Sequence, residues 1–241
     1  MATDIISGQT WQSKNYGFFS ILANNGCIDI DILFIRTGYT AKARAADIRA
    51  GGVKDPYYPK VAGRGYLGEG IYKSYNNGKI TLAYNAWRNM ILRCGSVASY
   101  IDCDVCDEWL NYQNFAAWFN DNYTEDYQID KDLLISGNRT YSPGSCVFIT
   151  RALNSLMTNC NLSTGTWKTN KERYQTQINL LGEKTHLGTY DTRHQAERVY
   201  RHTKATEIVR QALLPSTPKQ LFYPLLNKAE ELIGNLNRRA K

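Results

Sequence analysis

The order of secondary-structure signals between Tyr127 and Met157 constrains the fold more than any other feature of this chain. The residues favour a strand near Tyr127–Ile129, a loop, a second strand at Cys146–Ile149 and a helix that opens at Thr150. Strands and helices that follow one another within about 30 residues, without the alternation of a parallel sheet, are typical of α+β proteins. We therefore predict an α+β fold with this strand–loop–strand–helix unit at its centre.

The residues before this unit predict a small α+β segment and then two helices. Residues 18–22 and 28–35 form two strands around an Asn24–Gly26 turn, and Thr40 caps a short helix that continues to Ile48 and ends at Gly51-Gly52. Helical spacing then predicts two amphipathic helices. Their inward-facing residues are Ala83, Trp87, Met90 and Ile91 in the first, and Phe115, Trp118 and Phe119 in the second, which spans Tyr112–Asn120.

The residues after it predict a three-stranded sheet followed by helices. The strands lie near Trp167, at 174–180 and at 185–190, and the last two are joined by a turn at 181–183. Thr192 and Gln195 form a capping box that starts the next helix. Its predicted apolar face consists of Ala196, Val199, Tyr200, Ile208, Val209, Ala212 and Leu213. After Pro215 and Pro218, a last helix is expected over Pro224–Arg239.

The chain thus divides into three predicted modules: residues 1–78, 79–163 and 164–241. Charge varies along it, because residues 1–75 hold 9 Lys and Arg against 6 Asp and Glu, residues 76–165 hold 6 against 9, and residues 166–241 hold 14 against 7. Basic termini favour a polyanion such as a nucleic acid, and an acidic middle suits a site where carboxylates hold a cation. Solvated surface charge is the alternative for the basic tail.

Two observations bear on the compartment. The chain has no run of about 18 apolar residues and no secretory signal at its start, which predicts a cytoplasmic protein that does not contact a membrane. Its six cysteines are then expected to be reduced. Cys103 and Cys106 form a C-x-x-C that Cys94, Cys146 or Cys160 could complete as a zinc site, but no second C-x-x-C exists, and we favour buried thiols over zinc.

The central unit holds the residues with the most specific chemistry. Asp130-Lys131-Asp132 places two carboxylates beside a cation at the end of the first strand, and Asn154 lies one turn into the helix. Asp130 and Asn154 could hold one hard divalent cation through oxygen ligands. Such a cation, with a group that activates water, is what phosphodiester cleavage requires. The alternative is that the two aspartates cap a turn and Asn154 only caps or decorates the helix.

The same region resembles the phage HNH-type endonucleases of the homing kind, which have a ββα-metal fold. The resemblance covers residues 80–157 and lies in three motifs: Trp87, Met90, Arg93, Cys94; Val105, Cys106, Glu108, Trp109; and Asp130, Lys131, Gly137, Asn138, Tyr141, Ser142, Pro143, Cys146, Phe148. It implies that Asp130 and Asn154 bind a catalytic Mg²⁺ or Mn²⁺ and that Asp132, Asn138 and Tyr141 belong to the active site. It also implies no small-molecule cofactor, and a bacterial or phage-infected cell as the setting.

Lys131 falls where this family places a general-base histidine. The three histidines of the chain, His186, His194 and His202, all lie outside the segment. Lys131 could act as a base if burial depressed its pKa, or as a cationic clamp on the scissile phosphate. Tyr141, or water on the metal with Asp132, are the other candidates for the base.

The C-terminal module resembles an APETALA2-type DNA-binding domain. The resemblance lies in the run from Leu187 to Thr192, followed by Gln195, Ala196 and Tyr200. It implies that a three-stranded sheet enters the major groove of DNA with a helix behind it. The residues expected to face DNA are Lys168, Lys171, Arg173, Gln177, Lys184 and His186. Trp167 and Tyr174 are as compatible with core packing as with DNA contact.

Residues 37–39 read T-G-Y, and residues 53–68 follow the pattern V-K-D-P-x-x-P-x-V-x-G-x-G-Y-x-G. In these patterns residues 1–75 resemble the N-terminal segments found beside such nucleases. The resemblance implies an accessory DNA-binding role for Arg44, Arg49, Lys54, Lys60 and Arg64. The sequence therefore predicts a metal-dependent endonuclease acting on double-stranded DNA. The absence of a histidine at the centre favours a second hypothesis, a non-cleaving, sequence-specific DNA-binding regulator on the same scaffold. RNA binding is a third, since basic charge and tyrosines would serve there too.

Overall fold

The structure is a computed structural model that describes residues 4–157, 165–180 and 182–238. It confirms a mixed α+β fold. Its internal contacts separate two compact units, residues 1–120 and 121–241. The predicted boundary at 163/164 lies outside the described residues, as does Cys160.

The first unit begins with an antiparallel sheet in the order β1-β2-β3-β4. Its strands are β1 (Thr10–Ser13), β2 (Gly17–Asn24), β3 (Ile30–Phe34) and β4 (Thr40–Ala43), and helix α1 (Ala45–Arg49) follows. One sheet face is buried because alternate residues of the strands are apolar. These include Phe19, Ile21, Ile30, Ile32 and Phe34, which pack with Ile48 of α1.

The prediction that Thr40 caps a helix was wrong. Thr40–Ala43 pairs with β3, and Ala43 is buried while Lys42 points to solvent, so strand alternation overrides the helical propensity of the two alanines. The predicted helix end was correct. Gly51 has φ +64°, and its N–H and that of Gly52 donate to the carbonyls of Ile48 and Asp47, as in a Schellman motif.

The rest of the first unit contains a two-stranded ribbon and three helices. The ribbon consists of β5 (Tyr75–Asn76) and β6 (Lys79–Ile80), and the helices are α2 (Leu82–Arg93), α3 (Asp107–Leu110) and α4 (Tyr112–Asn122), with the short strand β7 (Asp104–Val105) before α3. The four residues predicted to face inward on α2 are all buried. The Nε1 of Trp87 donates to the carbonyl of Trp109, which ties α2 to α3 (2.6 Å).

The second unit combines a hairpin, a helix and a larger sheet. Strands β8 (Tyr127–Asp130) and β10 (Val147–Thr150) pair directly and antiparallel. Along the chain, the short strand β9 (Thr140–Tyr141) comes between them, and α5 (Arg151–Met157) follows β10. The strand–loop–strand–helix prediction is confirmed. The remaining elements are β11 (Thr166–Lys168), β12 (Tyr174–Leu180), β13 (Glu183–Tyr190), α6 (Arg193–Ala212) and α7 (Phe222–Arg238).

The three-stranded antiparallel sheet and the Thr192–Gln195 capping box were predicted correctly. Leu213, however, is 66% exposed and does not belong to the apolar face of α6. Helix α7 begins at Phe222, two residues before the predicted Pro224 start, and its predicted end at Arg239 lies outside the described residues.

Candidate functional site

Asp130 is the last residue of β8, and the backbone that follows turns around its carboxylate. Its Oδ1 accepts hydrogen bonds from the backbone N–H of Asp132 (3.0 Å) and of Leu133 (2.7 Å). Such an Asx turn ends the strand and fixes the side chain. Within the part of the chain that the structure describes, Oδ2 accepts no hydrogen bond, so this oxygen is the one available to a ligand.

The surroundings of Asp130 disfavour the ionised form of its carboxyl group. Burial, and next the charge of Asp132, raise the pKa of Asp130 above the usual range of an aspartate. A hard cation beside Oδ2 would oppose both effects. The oxygen chemistry and the charge of this position therefore fit Mg²⁺ or Mn²⁺.

Asn154 lies over the strand face that holds Asp130. Its Nδ2 donates to the Oε1 of Gln128 (2.7 Å). Gln128 precedes Asp130 by two residues in β8, and side chains two apart in a strand point to the same face. The structure thus brings the two predicted metal ligands to one face of the hairpin. The sequence analysis missed Gln128, although its spacing from Asp130 was the available signal.

Lys131 is a buried cation that lies beside a carboxylate and an aromatic ring. Its Nζ is 3.0 Å from Oδ2 of the exposed Asp132 and 5.8 Å from the ring centroid of Tyr141. A carboxylate and an aromatic face both stabilise the charged ammonium. This arrangement suits a cationic clamp better than a base that must lose its proton.

Asn138 closes the loop between β8 and β9. Its Nδ2 donates to the carbonyls of Lys131 (2.6 Å) and Thr140 (2.8 Å), which uses both N–H groups. Asn138 therefore positions the backbone that carries Lys131, and its amide donors have no capacity left for a substrate. Tyr141, at the end of this loop, is 2% exposed, so its hydroxyl is poorly placed to meet a large substrate.

The cysteines of the described residues do not form a metal centre. Among the described residues, no three His, Cys, Asp or Glu side chains come together in a way that could hold a metal ion. Cys146 is buried, while Cys94, Cys103 and Cys106 are half-buried thiols. Burial raises the pKa of Cys94 and of Cys106, which favours the neutral thiol.

A second candidate site is the face of the β11–β13 sheet that α6 leaves open. Thr176 and Ile178 of β12 are buried on the covered side, so the alternate residues of β12 point outward. Strand pairing places the matching residues of β11 and β13 on the same side. We call this surface the open sheet face; it consists of Trp167, Gln175, Gln177, Asn179, Lys184, His186 and Thr189.

The open sheet face contains three of the predicted DNA contacts: Gln177, Lys184 and His186. Lys168 is paired with Tyr174 across the strands and so belongs to the opposite face, where it forms an ion pair with Glu172. Lys171 lies in the turn before β12, and Arg173 is held by Asp191 (3.0 Å) and by the carbonyl of Thr189. Trp167 is 42% exposed rather than packed in a core.

Gly188 explains part of the motif that begins at Leu187. The β12–β13 register shifts between Thr176 and Gln177, which leaves Leu187 as the extra residue of a β-bulge. Gly188 has φ +130°, and a Cβ there would lie 2.7 Å from the hydroxyl of Tyr190, which itself donates to the carbonyl of Leu187. A larger residue would disturb the bulge and the strand face beside it.

The five predicted contacts of the N-terminal module are dispersed. Arg44 and Arg49 lie at the two ends of α1, and Lys54 is exposed in the loop that follows. The Nζ of Lys60 is 5.1 Å from the ring centroid of Tyr16. Arg64 forms an ion pair with Asp104 (2.6 Å), so its charge is already neutralised within the first unit.

Comparisons with protein-family models, with curated proteins and with solved structures give no match to this chain. In the described part of the chain, no helix combines the length and apolar character needed to cross a membrane. A function for the chain must therefore be argued from the residues and geometry above.

Proposed function

We propose that this chain is a metal-dependent endonuclease that binds double-stranded DNA and hydrolyses its phosphodiester bonds, with an HNH-like ββα centre and an APETALA2-like C-terminal sheet. The observation that supports it most is the common face of Asp130 and Asn154, where an aspartate oxygen accepts no hydrogen bond from the described residues. Two strands and a helix that position an oxygen-ligand pair are what a hard-metal nuclease centre needs.

The residues take complementary roles in this proposal. Asp130 and Asn154 supply oxygen ligands, and a bound Mg²⁺ or Mn²⁺ would supply Lewis acidity towards a phosphate oxygen. Lys131, kept charged by Asp132, stabilises the negative charge that develops on the phosphate. Tyr141 is buried and Lys131 acts in its charged form, so Asp132, whose side chain is half exposed, is the remaining side-chain candidate for the base.

Replacing Asp130 tests the proposal. We expect Asp130→Ala to abolish cleavage of duplex DNA in Mg²⁺ or Mn²⁺ while leaving DNA affinity unchanged, because the open sheet face is untouched. Glu125→Ala, which removes an exposed carboxylate nearby in the sequence, is the matched control and should cleave like the unmodified protein. Cleavage by Asp130→Ala at the unmodified rate would remove this residue from the metal site.

A DNA-binding regulator that does not cleave is the second candidate function. The observation that favours it is that residues 79–163 contain no histidine to act as the general base. Retained binding to duplex DNA, with no cleavage in either cation, would support the regulator and exclude the nuclease.

A further inference from the structure

The β5–β6 ribbon projects from the first unit with its side chains in solvent. Asn77 and Gly78 both have positive φ (48° and 75°), which gives the tight two-residue turn that suits the twist of paired strands. Tyr75 is 56% exposed and Ile80 is 40% exposed, although they are paired across the strands. Ile71 and Leu82 on either side are 83% and 64% exposed. Apolar side chains concentrated at one projection mark an interaction surface.

The base of the ribbon is braced against the helices. The hydroxyl of Tyr112 donates to the carbonyl of Lys73 (3.0 Å), and the backbone N–H of Thr81 donates to that of Ser74 (3.0 Å). The amide of Gln113 accepts from the N–H of Tyr72 (2.9 Å) and donates to its carbonyl (3.0 Å). The ribbon is thus held in one orientation before any partner binds, which lowers the entropic cost of binding.

The sequence segment that contains the ribbon carries charge of one sign. Residues 70–101 contain Lys73, Lys79, Arg88 and Arg93 and no aspartate or glutamate. Lys73 and Lys79 flank the strands and are exposed. A stretch of 32 residues with four cations and no carboxylate, inside the more acidic part of the chain, is complementary to a polyanion.

The two faces of the ribbon differ. Strand pairing puts Tyr75 and Ile80 on one face, where the ring of Tyr75 contacts that of Tyr84 (6.1 Å between centroids), and puts Asn76 and Lys79 on the other. An asparagine amide matches the major-groove edge of adenine, and a lysine matches guanine or a phosphate. A two-stranded ribbon has the dimensions to enter the major groove of B-DNA.

We propose that the β5–β6 ribbon enters the major groove of duplex DNA, with Asn76 and Lys79 towards the nucleic acid. This inference rests on the proposed function, which it deepens by adding a binding element in the first unit that is separate from the open sheet face.

The test uses the full chain and a random-sequence duplex, with affinity measured by fluorescence anisotropy over a series of salt concentrations. Loss of one phosphate contact should flatten the dependence of log affinity on log salt by about one unit for duplex DNA. We expect this for Lys79→Ala. The matched control is Lys42→Ala, since Lys42 is also exposed but its ammonium is already paired with Asp29 and Asp31. Both positions are at the surface, so neither change should affect folding.

A second measurement locates the ribbon on the DNA. A benzophenone photo-crosslinker at position 76 should react with the duplex, and one at position 42 should not. The crosslink should be suppressed by a major-groove ligand such as methyl green and not by the minor-groove ligand netropsin. Suppression by netropsin alone would overturn the assignment to the major groove.

The failures of the two proposals are distinguishable. If the unmodified protein neither binds nor cleaves duplex DNA, the proposed function fails and the ribbon inference fails with it. If the unmodified protein binds, but Lys79→Ala behaves like Lys42→Ala and position 76 gives no crosslink, the ribbon inference alone is wrong, and a protein partner becomes the explanation of its exposed apolar residues.

Discussion

Replacing Lys131 tests how the candidate active site handles the charge of the reaction. Lys131→Met keeps a long side chain and removes the ammonium that lies 3.0 Å from Asp132 Oδ2. Removing one oriented group that stabilises transition-state charge costs about 10²- to 10³-fold in kcat. We expect a loss of that size in single-turnover cleavage of duplex DNA with Mg²⁺.

The same substitution should leave the fold intact. The Asp132 side chain is 51% exposed, so water can solvate its carboxylate once the ion pair is lost. Ion pairs between exposed groups contribute about 0.2–1 kcal/mol to the free energy of unfolding, and a methionine in place of the buried Lys131 leaves no charge in the interior. Urea denaturation should therefore show a midpoint close to that of the unmodified protein, which separates a chemical effect from unfolding.

Lys131→Arg distinguishes the clamp from the base. Arginine keeps the positive charge but cannot release a proton near neutral pH. If Lys131 is a clamp, the arginine variant should have an unchanged pH–rate profile. Its activity should lie within about tenfold of the unmodified protein, because the wider guanidinium must fit a buried site. If Lys131→Arg folds correctly but is as inactive as Lys131→Met, Lys131 is not a clamp. If Lys131→Met keeps full activity, Lys131 has no role in the mechanism.

Four other residues give further predictions. Gln128→Ala removes one hydrogen-bond acceptor of Asn154. It should lower cleavage by about 10-fold, as is typical when a partner of a metal ligand is lost. Gln128→Glu keeps that acceptor and should retain most activity. Lys184→Ala on the open sheet face should flatten the dependence of log DNA affinity on log salt by about one unit if Lys184 contacts a phosphate. Gln177→Ala should relax the preference at one base pair in a binding-site selection experiment. If neither substitution has its effect, this face does not bind DNA. The pKa of Glu207 is lowered mainly by its hydrogen bond from Arg210. This contact therefore stabilises the fold above the unfolded pKa of a glutamate, near pH 4.5. The stabilisation is lost as the pH falls through the lower pKa of the folded state. Glu207→Gln should therefore flatten the acid dependence of the urea midpoint, by about 1 kcal/mol of unfolding free energy, and an unchanged acid dependence would contradict the assignment.

Local patterns predicted most of the elements because the signals were strong where the structure is regular. Helix α2 was recognised from four apolar residues at helical spacing, all of them buried, and α6 from a capping box that the structure contains. The prediction failed at Thr40–Ala43, where the local preference of alanine for helix is overridden by pairing with β3. That pairing depends on a neighbouring strand and cannot be read from four residues.

The candidate sites were predictable in part for the same reason. Asp130 and Asn154 were predicted as a pair. The hydrogen bond that relates them involves Gln128, whose two-residue spacing from Asp130 is the sequence signal that places both on one strand face. Lys168 and Gln177 were both predicted to face DNA, but the structure places them on opposite faces of the sheet. The face of Lys168 depends on its register with Tyr174, which local sequence does not give. The β5–β6 ribbon was missed despite its Asn77-Gly78 turn signal.

The core of the second unit decides how DNA binding and cleavage can be separated experimentally. Val147 and Ile149 of β10 and Leu153 and Leu156 of α5 pack in one cluster with Ile208 of α6, Leu225 of α7 and Leu221, which immediately precedes α7. Deleting residues 166–241 would expose the four side chains of β10 and α5, and burial of each contributes about 1.5–3 kcal/mol. The total is comparable with the whole stability of a domain, which is about 5–15 kcal/mol. Loss of cleavage after such a deletion would therefore report unfolding of the hairpin that carries Asp130. Substitutions at exposed positions, such as those of the open sheet face, can weaken binding while the candidate active site stays folded.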